Sequence, residues 1–156
     1  MRRFFLEGVD GWFSRATIFV LVVAGSACSD GIGPETQLDD ARALWEAAGT
    51  SSYSFELQPV CFCGASANAL VVVEDGVVTS VFDLTEERFL ELNQAQLYVT
   101  VEALFDLLGD AEAQDAHFIR AEYHPVLGFP TDFFIDYSEN AIDEELGYLA
   151  RGLTID

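Results

Sequence analysis

The stretch Ala69–Phe82 (ALVVVEDGVVTSVF) constrains the fold more than any other part of the chain. β-Branched residues crowd both sides of Asp75-Gly76, and an Asp-Gly pair supplies the positive φ angles of a tight two-residue turn. Two strands joined so closely must pair antiparallel, so the sheet that contains them is built at least partly from hairpins.

The flanking segments extend this pattern. Tyr53, Phe55 and Leu57 alternate with Ser54, Glu56 and Gln58, the period of two that marks a half-buried strand. His117–Tyr123 alternates in the same way, as does Thr131–Tyr137 (TDFFIDY), and the tail Glu145–Leu153 reads as a final strand although Gly147 and Gly152 interrupt it. Two helices separate these runs. Thr36 is expected to cap the first, which carries Leu38, Ala41, Trp45 and Ala48 at helical spacing and stops at Gly49. The second follows Thr100, with Val101, Leu104, Phe105 and Leu108 on one face. Thr85–Leu92 (TEERFLEL) is expected to be a short turn or helix. The order helix, three strands, helix, three strands implies an α+β fold, an antiparallel sheet of about five or six strands packed by two main helices. It also suggests a degenerate helix-plus-meander repeat.

The first 28 residues concern address. Arg2, Arg3 and Arg15 precede an uncharged run, Ala16–Ala27 (ATIFVLVVAGSA), which falls short of the roughly 20 residues a spanning helix needs. A basic start, an apolar core and small residues at its end form a secretory signal. Ala24-Gly25-Ser26-Ala27-Cys28 resembles the lipobox of bacterial lipoproteins, with Gly25 where leucine is commonest. The resemblance implies cleavage after Ala27 and acyl chains on Cys28. The expected organisation is a signal peptide at 1–27, a Gly- and Pro-rich tether at 28–35 and a single α+β domain at 36–156. The protein is then anchored by lipid in the bacterial cell envelope, facing the periplasm or the exterior. Ser29 after the cysteine favours the outer membrane if the cell is Gram-negative.

Charge narrows the partners. The chain holds seven arginines and lysines against 27 acids, a formal net charge of −20. Residues 1–27 contain three of those cations (Arg2, Arg3, Arg15) and two of the acids (Glu7, Asp10), which leaves four arginines against 25 acids. Such a surface repels phosphate backbones and excludes nucleic acid as a partner. Anionic headgroups repel it too, so the lipid is the expected membrane contact.

Cys61 and Cys63 are one residue apart. On a regular strand their Cα atoms would lie about 6.6 Å apart, at the upper edge for a disulfide. Pro59 and Gly64 flank the pair and favour a bend, and an oxidising compartment favours a structural disulfide. Unpaired thiols, a redox pair and a metal site are the alternatives. Zinc would need four ligands, for which only His117 and His124 remain. Asp136–Glu145 is rich in oxygen ligands for calcium but lacks the spacing of an EF-hand loop, so turn formation and solvation are its plainer roles. There is no nucleophile elbow and no phosphate loop, and no enzymatic activity or cofactor is expected. The turn Pro125–Pro130 (PVLGFP) either folds back on the core or presents Leu127 and Phe129 to a protein partner, steered by the acidic segment.

Two longer segments carry a further resemblance: Ala41–Cys63 and Tyr123–Tyr148. They contain a helix with Trp, a Tyr-x-Phe strand, Cys-x-Cys, then Tyr-x-Pro-x-x-Gly-x-Pro followed by Ile-Asp-Tyr and an acidic Asp-Glu-Glu. With the Asp-Gly hairpin and the lipobox, they resemble a bacterial family catalogued as domain of unknown function 6174. The resemblance implies fold and address but no mechanism. The expected function is a lipid-anchored, non-enzymatic structural or protein-binding module. The alternative is a small redox, metal- or calcium-binding envelope protein using Cys61 and Cys63 or the Asp136–Glu145 segment. Metabolic labelling with a palmitate analogue is expected to mark the parent chain and leave Cys28→Ala unmarked; equal labelling of both would end the lipoprotein reading.

Overall fold

Proline is well suited to the first position of a helix, because the N–H it lacks would have no partner there. Helix α1 accordingly begins at Pro34, before the expected cap at Thr36, and runs to Ala48. The computed structural model describes residues 34–63, 67–91, 93–141 and 143–155. Cys28, the segment 1–27 and most of the expected tether lie outside them. Leu38, Ala41 and Trp45 of α1 are buried. Gly49, at φ +63°, turns the chain out of the helix as its N–H donates to the Glu46 carbonyl at 3.1 Å. Helix α2 (Val101–Ala113) is capped by Thr100, whose hydroxyl accepts from the Ala103 N–H at 3.2 Å. Its inward face is Val101, Leu104, Phe105, Leu108 and Ala111. Among the described residues, no helix is long and apolar enough to cross a membrane.

The strands are β1 (Tyr53–Cys61), β2 (Ala69–Glu74), β3 (Val77–Asp83), β4 (Arg88–Phe89), β5 (Phe118–Tyr123), β6 (Pro130–Asp136) and β7 (Leu146–Ile155). They form one antiparallel sheet in the order β4-β3-β2-β1-β7-β6-β5. Seven strands replace the expected five or six. The addition is β4, inside the segment Thr85–Leu92. The Asp83 carboxylate accepts from the Thr85 and Glu86 N–H groups at 2.7 and 2.9 Å. Those two donors hold its pKa below the usual range. The turn they fix brings Arg88 and Phe89 back against Asp83 and Phe82, and the two phenylalanine rings meet edge-on at 5.1 Å.

Each helix precedes a meander, β1–β4 after α1 and β5–β7 after α2. Across the sheet each meander runs from its last strand to its first, which sets β7 against β1. The Asp75-Gly76 turn has φ of 49° and 77°, as a tight hairpin requires. It is pinned to the loop after α1 by Gly76 N–H to the Ser51 carbonyl at 2.8 Å.

Register places the large side chains on one face. Tyr53, Phe55 and Leu57 stand opposite Val73, Val71 and Ala69, while Leu57 and Pro59 stand opposite Ala150 and Tyr148. Tyr148 in turn faces Phe133. All are buried, and this face meets the inward stripes of both helices. Each such large side chain contributes about 1.5–3 kcal/mol.

One carboxylate ties the layers together. Glu102, in the first turn of α2, accepts from Trp45 Nε1–H on α1 at 2.9 Å and from the Tyr53 hydroxyl on β1 at 2.8 Å. The same hydroxyl accepts from the Val101 N–H at 2.9 Å. Burial raises the Tyr53 pKa, so the phenol stays protonated and remains a donor. Trp45 also packs edge-on against Tyr53, with centroids 5.1 Å apart. Removing the carboxylate orphans two donors in partly buried surroundings. Glu102→Ala is therefore expected to cost about 2–4 kcal/mol and Glu102→Gln about 1–2 kcal/mol, read from urea unfolding. Equal stability of Glu102→Ala and the parent would show the network to be incidental.

Candidate functional site

Strand β1 outlasts its pairing with β2. The β1–β2 ladder ends at Leu57 and Ala69, whereas β7 continues along β1 to Cys61. Pro59 lies in this one-sided stretch, where a strand tolerates proline. The chain bends after Cys61, at Phe62 and Cys63. That bend shortens the Cα–Cα distance to 5.2 Å, well inside the range a disulfide accepts, and Cys61 is bonded to Cys63. The bend, and not Pro59, brings the sulfurs together. Cys63 is exposed and Phe62 is 83% exposed.

The sheet face away from the helices carries Val60, Gly147 and Phe134 side by side on β1, β7 and β6. Gly147 leaves bare backbone between two apolar side chains; a Cβ there would sit 2.6 Å from the Phe133 carbonyl oxygen. Together with Cys61, Phe62, Asp143 and Glu145, Val60 and Phe134 line a groove of about 360 Å³. One wall is the disulfide turn and the other is the end of the β6–β7 loop. None of the described residues lining it is basic. The groove is thus apolar along its base and acidic at its rim.

The other candidates distribute differently. Leu127 is partly buried against the core and Phe129 is 3% exposed, so Phe129 is a core side chain and is not presented to a partner. The physical reason is close packing of the turn on α1. Gly128, at φ +77°, lies so near α1 that a Cβ would stand 2.0 Å from the Ala41 carbonyl oxygen. Phe129 meets Trp45 edge-on at 6.3 Å and stacks on His124 at 5.0 Å. His124 accepts through Nδ1 from the Leu127 N–H at 3.1 Å and the Val126 N–H at 3.3 Å, so this histidine holds the turn. Val126 is 71% exposed, and Pro125 beside it is exposed as well. Nor does the turn adjoin the acidic segment. It precedes β6 and the acidic segment follows it, which separates them by about 20 Å of strand.

In the acidic segment, Asp136 accepts from the Ser138 N–H at 3.0 Å, which is turn chemistry. Among the described residues no three His, Cys, Asp or Glu side chains converge as a metal site. Cys28 lies outside the described residues. Sequence reasoning passed over Val60, Phe62 and Phe134 because no motif marks them. The available signal was Gly147, since a glycine inside a strand marks a close approach.

Fold and groove together define a two-layer α+β protein with both helices on one face of an antiparallel sheet and a disulfide-edged groove on the other. The chain belongs to the family of unknown function DUF6174, whose family model matches residues 37–155. No curated protein and no solved structure matches it.

The disulfide closes a loop of only three residues, so chain entropy assigns it about 1.6 kcal/mol. Cys61→Ser/Cys63→Ser is therefore expected to fold, and to lose no more than about 1.6 kcal/mol in urea unfolding. A variant that fails to fold would make the bond a core element rather than a local clasp.

Proposed function

We propose that this protein acts by binding rather than catalysis, held in the bacterial envelope by acyl chains on Cys28 after cleavage at Ala27. In this reading the groove beside the disulfide takes a protein segment that carries an apolar side chain next to lysine or arginine. One observation carries the proposal. Two segments of the family resemblance, Cys61-x-Cys63 and Asp143-Glu144-Glu145, are separated by some 80 residues in sequence and meet at one surface groove. The other segments are used in the core: Trp45, Tyr53, Phe55 and Phe129 are all buried. Carboxylates at the rim and a net charge of −20 favour a basic partner and oppose acidic ones.

A redox role is the second reading, favoured by the exposure of Cys63. It requires a reduction potential near those of disulfide oxidoreductases, whereas a binding role places no demand on it.

The test uses short peptides with a central phenylalanine or leucine flanked by lysines, and the same peptides flanked by glutamates. The lysine peptides are expected to shift the amide resonances of Val60, Phe62 and Phe134, with affinity falling as salt rises. Val60→Asp/Phe62→Asp is expected to abolish those shifts while leaving the melting temperature within a few degrees, because both side chains are already exposed. Equal binding of the glutamate peptides, or shifts confined to other residues, would refute the groove.

A further inference from the structure

The two edges of the sheet are unlike. One ends in β4, two residues long. The other is β5, six residues (FIRAEY) without proline, which pairs only with β6 among the described residues. Alternate residues of β5 therefore direct both N–H and C=O away from the sheet, the arrangement that accepts another strand. Burial reflects the missing neighbour. Phe133 and Ile135 of β6 are 2% and 0% exposed, yet Ile119 and Ala121, their partners on β5, are only half-buried. A cavity of about 290 Å³ runs beside the strand. Five of the strand's six residues line it, together with Gln37 of α1 and Glu112 of α2, so it lies where the edge strand meets the ends of both helices.

We propose that β5 is a self-complementary docking edge, on which a second copy of this chain pairs its own β5 antiparallel about a two-fold axis through Ala121. The sequence of the strand selects that axis. A two-fold axis normal to the sheet keeps both helix layers on the same side and pairs residues that point to the same face. Centred on Ala121, it sets Arg120 opposite the partner's Glu122 and Glu122 opposite the partner's Arg120. On the helix side it sets Ile119 opposite the partner's Tyr123, beside the cavity. Centred on Arg120 it would oppose two guanidiniums, and centred on Glu122 two carboxylates; like charges directly opposite are unfavourable. Arg120 already grips Asp132 on β6 through Nη1 and Nη2, both at 3.0 Å. That contact draws the guanidinium toward β6, so only the fork's remaining N–H groups are left to meet the partner's Glu122. The result is a continuous sheet through two copies, with the grooves and both disulfides left open.

The pairing makes a positional prediction. Residues opposite one another in an antiparallel ladder have Cα atoms about 4.5–5.5 Å apart, within disulfide reach. The full chain carrying Ala121→Cys, oxidised mildly at about 0.15 M salt so that the acidic surfaces are screened, is expected to yield a covalent dimer absent from the parent. Thr79→Cys, exposed on β3, serves as the control and should give none. Adding Arg120→Glu should lower the crosslinked fraction about tenfold, since two favourable pairs become two repulsive ones. Arg120→Glu/Glu122→Arg should restore it. The proposal is overturned if Ala121→Cys gives no more dimer than Thr79→Cys, or if Arg120→Glu leaves the yield unchanged. Loss of dimer in the double exchange, at an unchanged melting temperature, overturns it as well.

Discussion

The carboxylate of Glu102 is the point on which the two layers are hung. It lies within hydrogen-bonding distance of one side chain from α1 and one from β1, and the Tyr53 hydroxyl passes the connection on to the first free N–H of α2. Apolar packing alone would let either helix slide along the sheet, because a hydrophobic stripe is tolerant of small shifts. Directional bonds from Trp45 and Tyr53 to a single group are not. A donor left without its acceptor in such surroundings costs about 1–3 kcal/mol, so one arrangement of helices over strands is selected. Trp45 extends the constraint to the Pro125–Pro130 turn through Phe129, and Gly128 admits that turn to within contact of the α1 backbone.

With both helices committed to one face, the other face of the sheet carries no helix among the described residues, and its chemistry varies with position. Near its middle it is polar: Asn68 donates to Glu56 at 3.0 Å, and Arg151 lies 3.3 Å from the same carboxylate. Toward the end where β1 outruns β2 it becomes apolar, with Val60, Gly147 and Phe134 in one row. The disulfide stands at that corner. By clasping the chain just past its last ladder pair, it fixes where the backbone leaves the sheet and holds Phe62 outward, where burial by the protein's own core is impossible.

Much of the fold was legible because it is written in local patterns. Asp75-Gly76 and the β-branched runs beside it announced a hairpin, the period of two marked three further strands, and the stripes at Leu38–Trp45 and Val101–Leu108 marked both helices. What escaped depends on contacts between distant residues or on side chains acting against propensity. Strand β4 exists because the Asp83 carboxylate folds the chain back, which no strand pattern in Arg88-Phe89 reveals. The two bonds to Glu102 span 57 and 49 positions in sequence. The apolar residues of Pro125–Pro130 left a turn folded on the core and an exposed tip both open, and the same glycine that allows the turn also allows it to lie flat on α1.

The same distinction sorts the residues that stand out in this chain. Trp45, Tyr53, Phe55 and Phe129 are memorable in sequence and buried in structure, so their identities answer to packing. Cys61, Phe62, Cys63, Asp143 and Glu145 are not core residues, and stability alone gives little reason for them: a three-residue disulfide loop adds little, and further carboxylates on an already acidic chain add repulsion. Cys61, Phe62, Asp143 and Glu145 line one groove, the site of the proposed binding role. An acidic rim around an apolar base discriminates by charge first and by shape second.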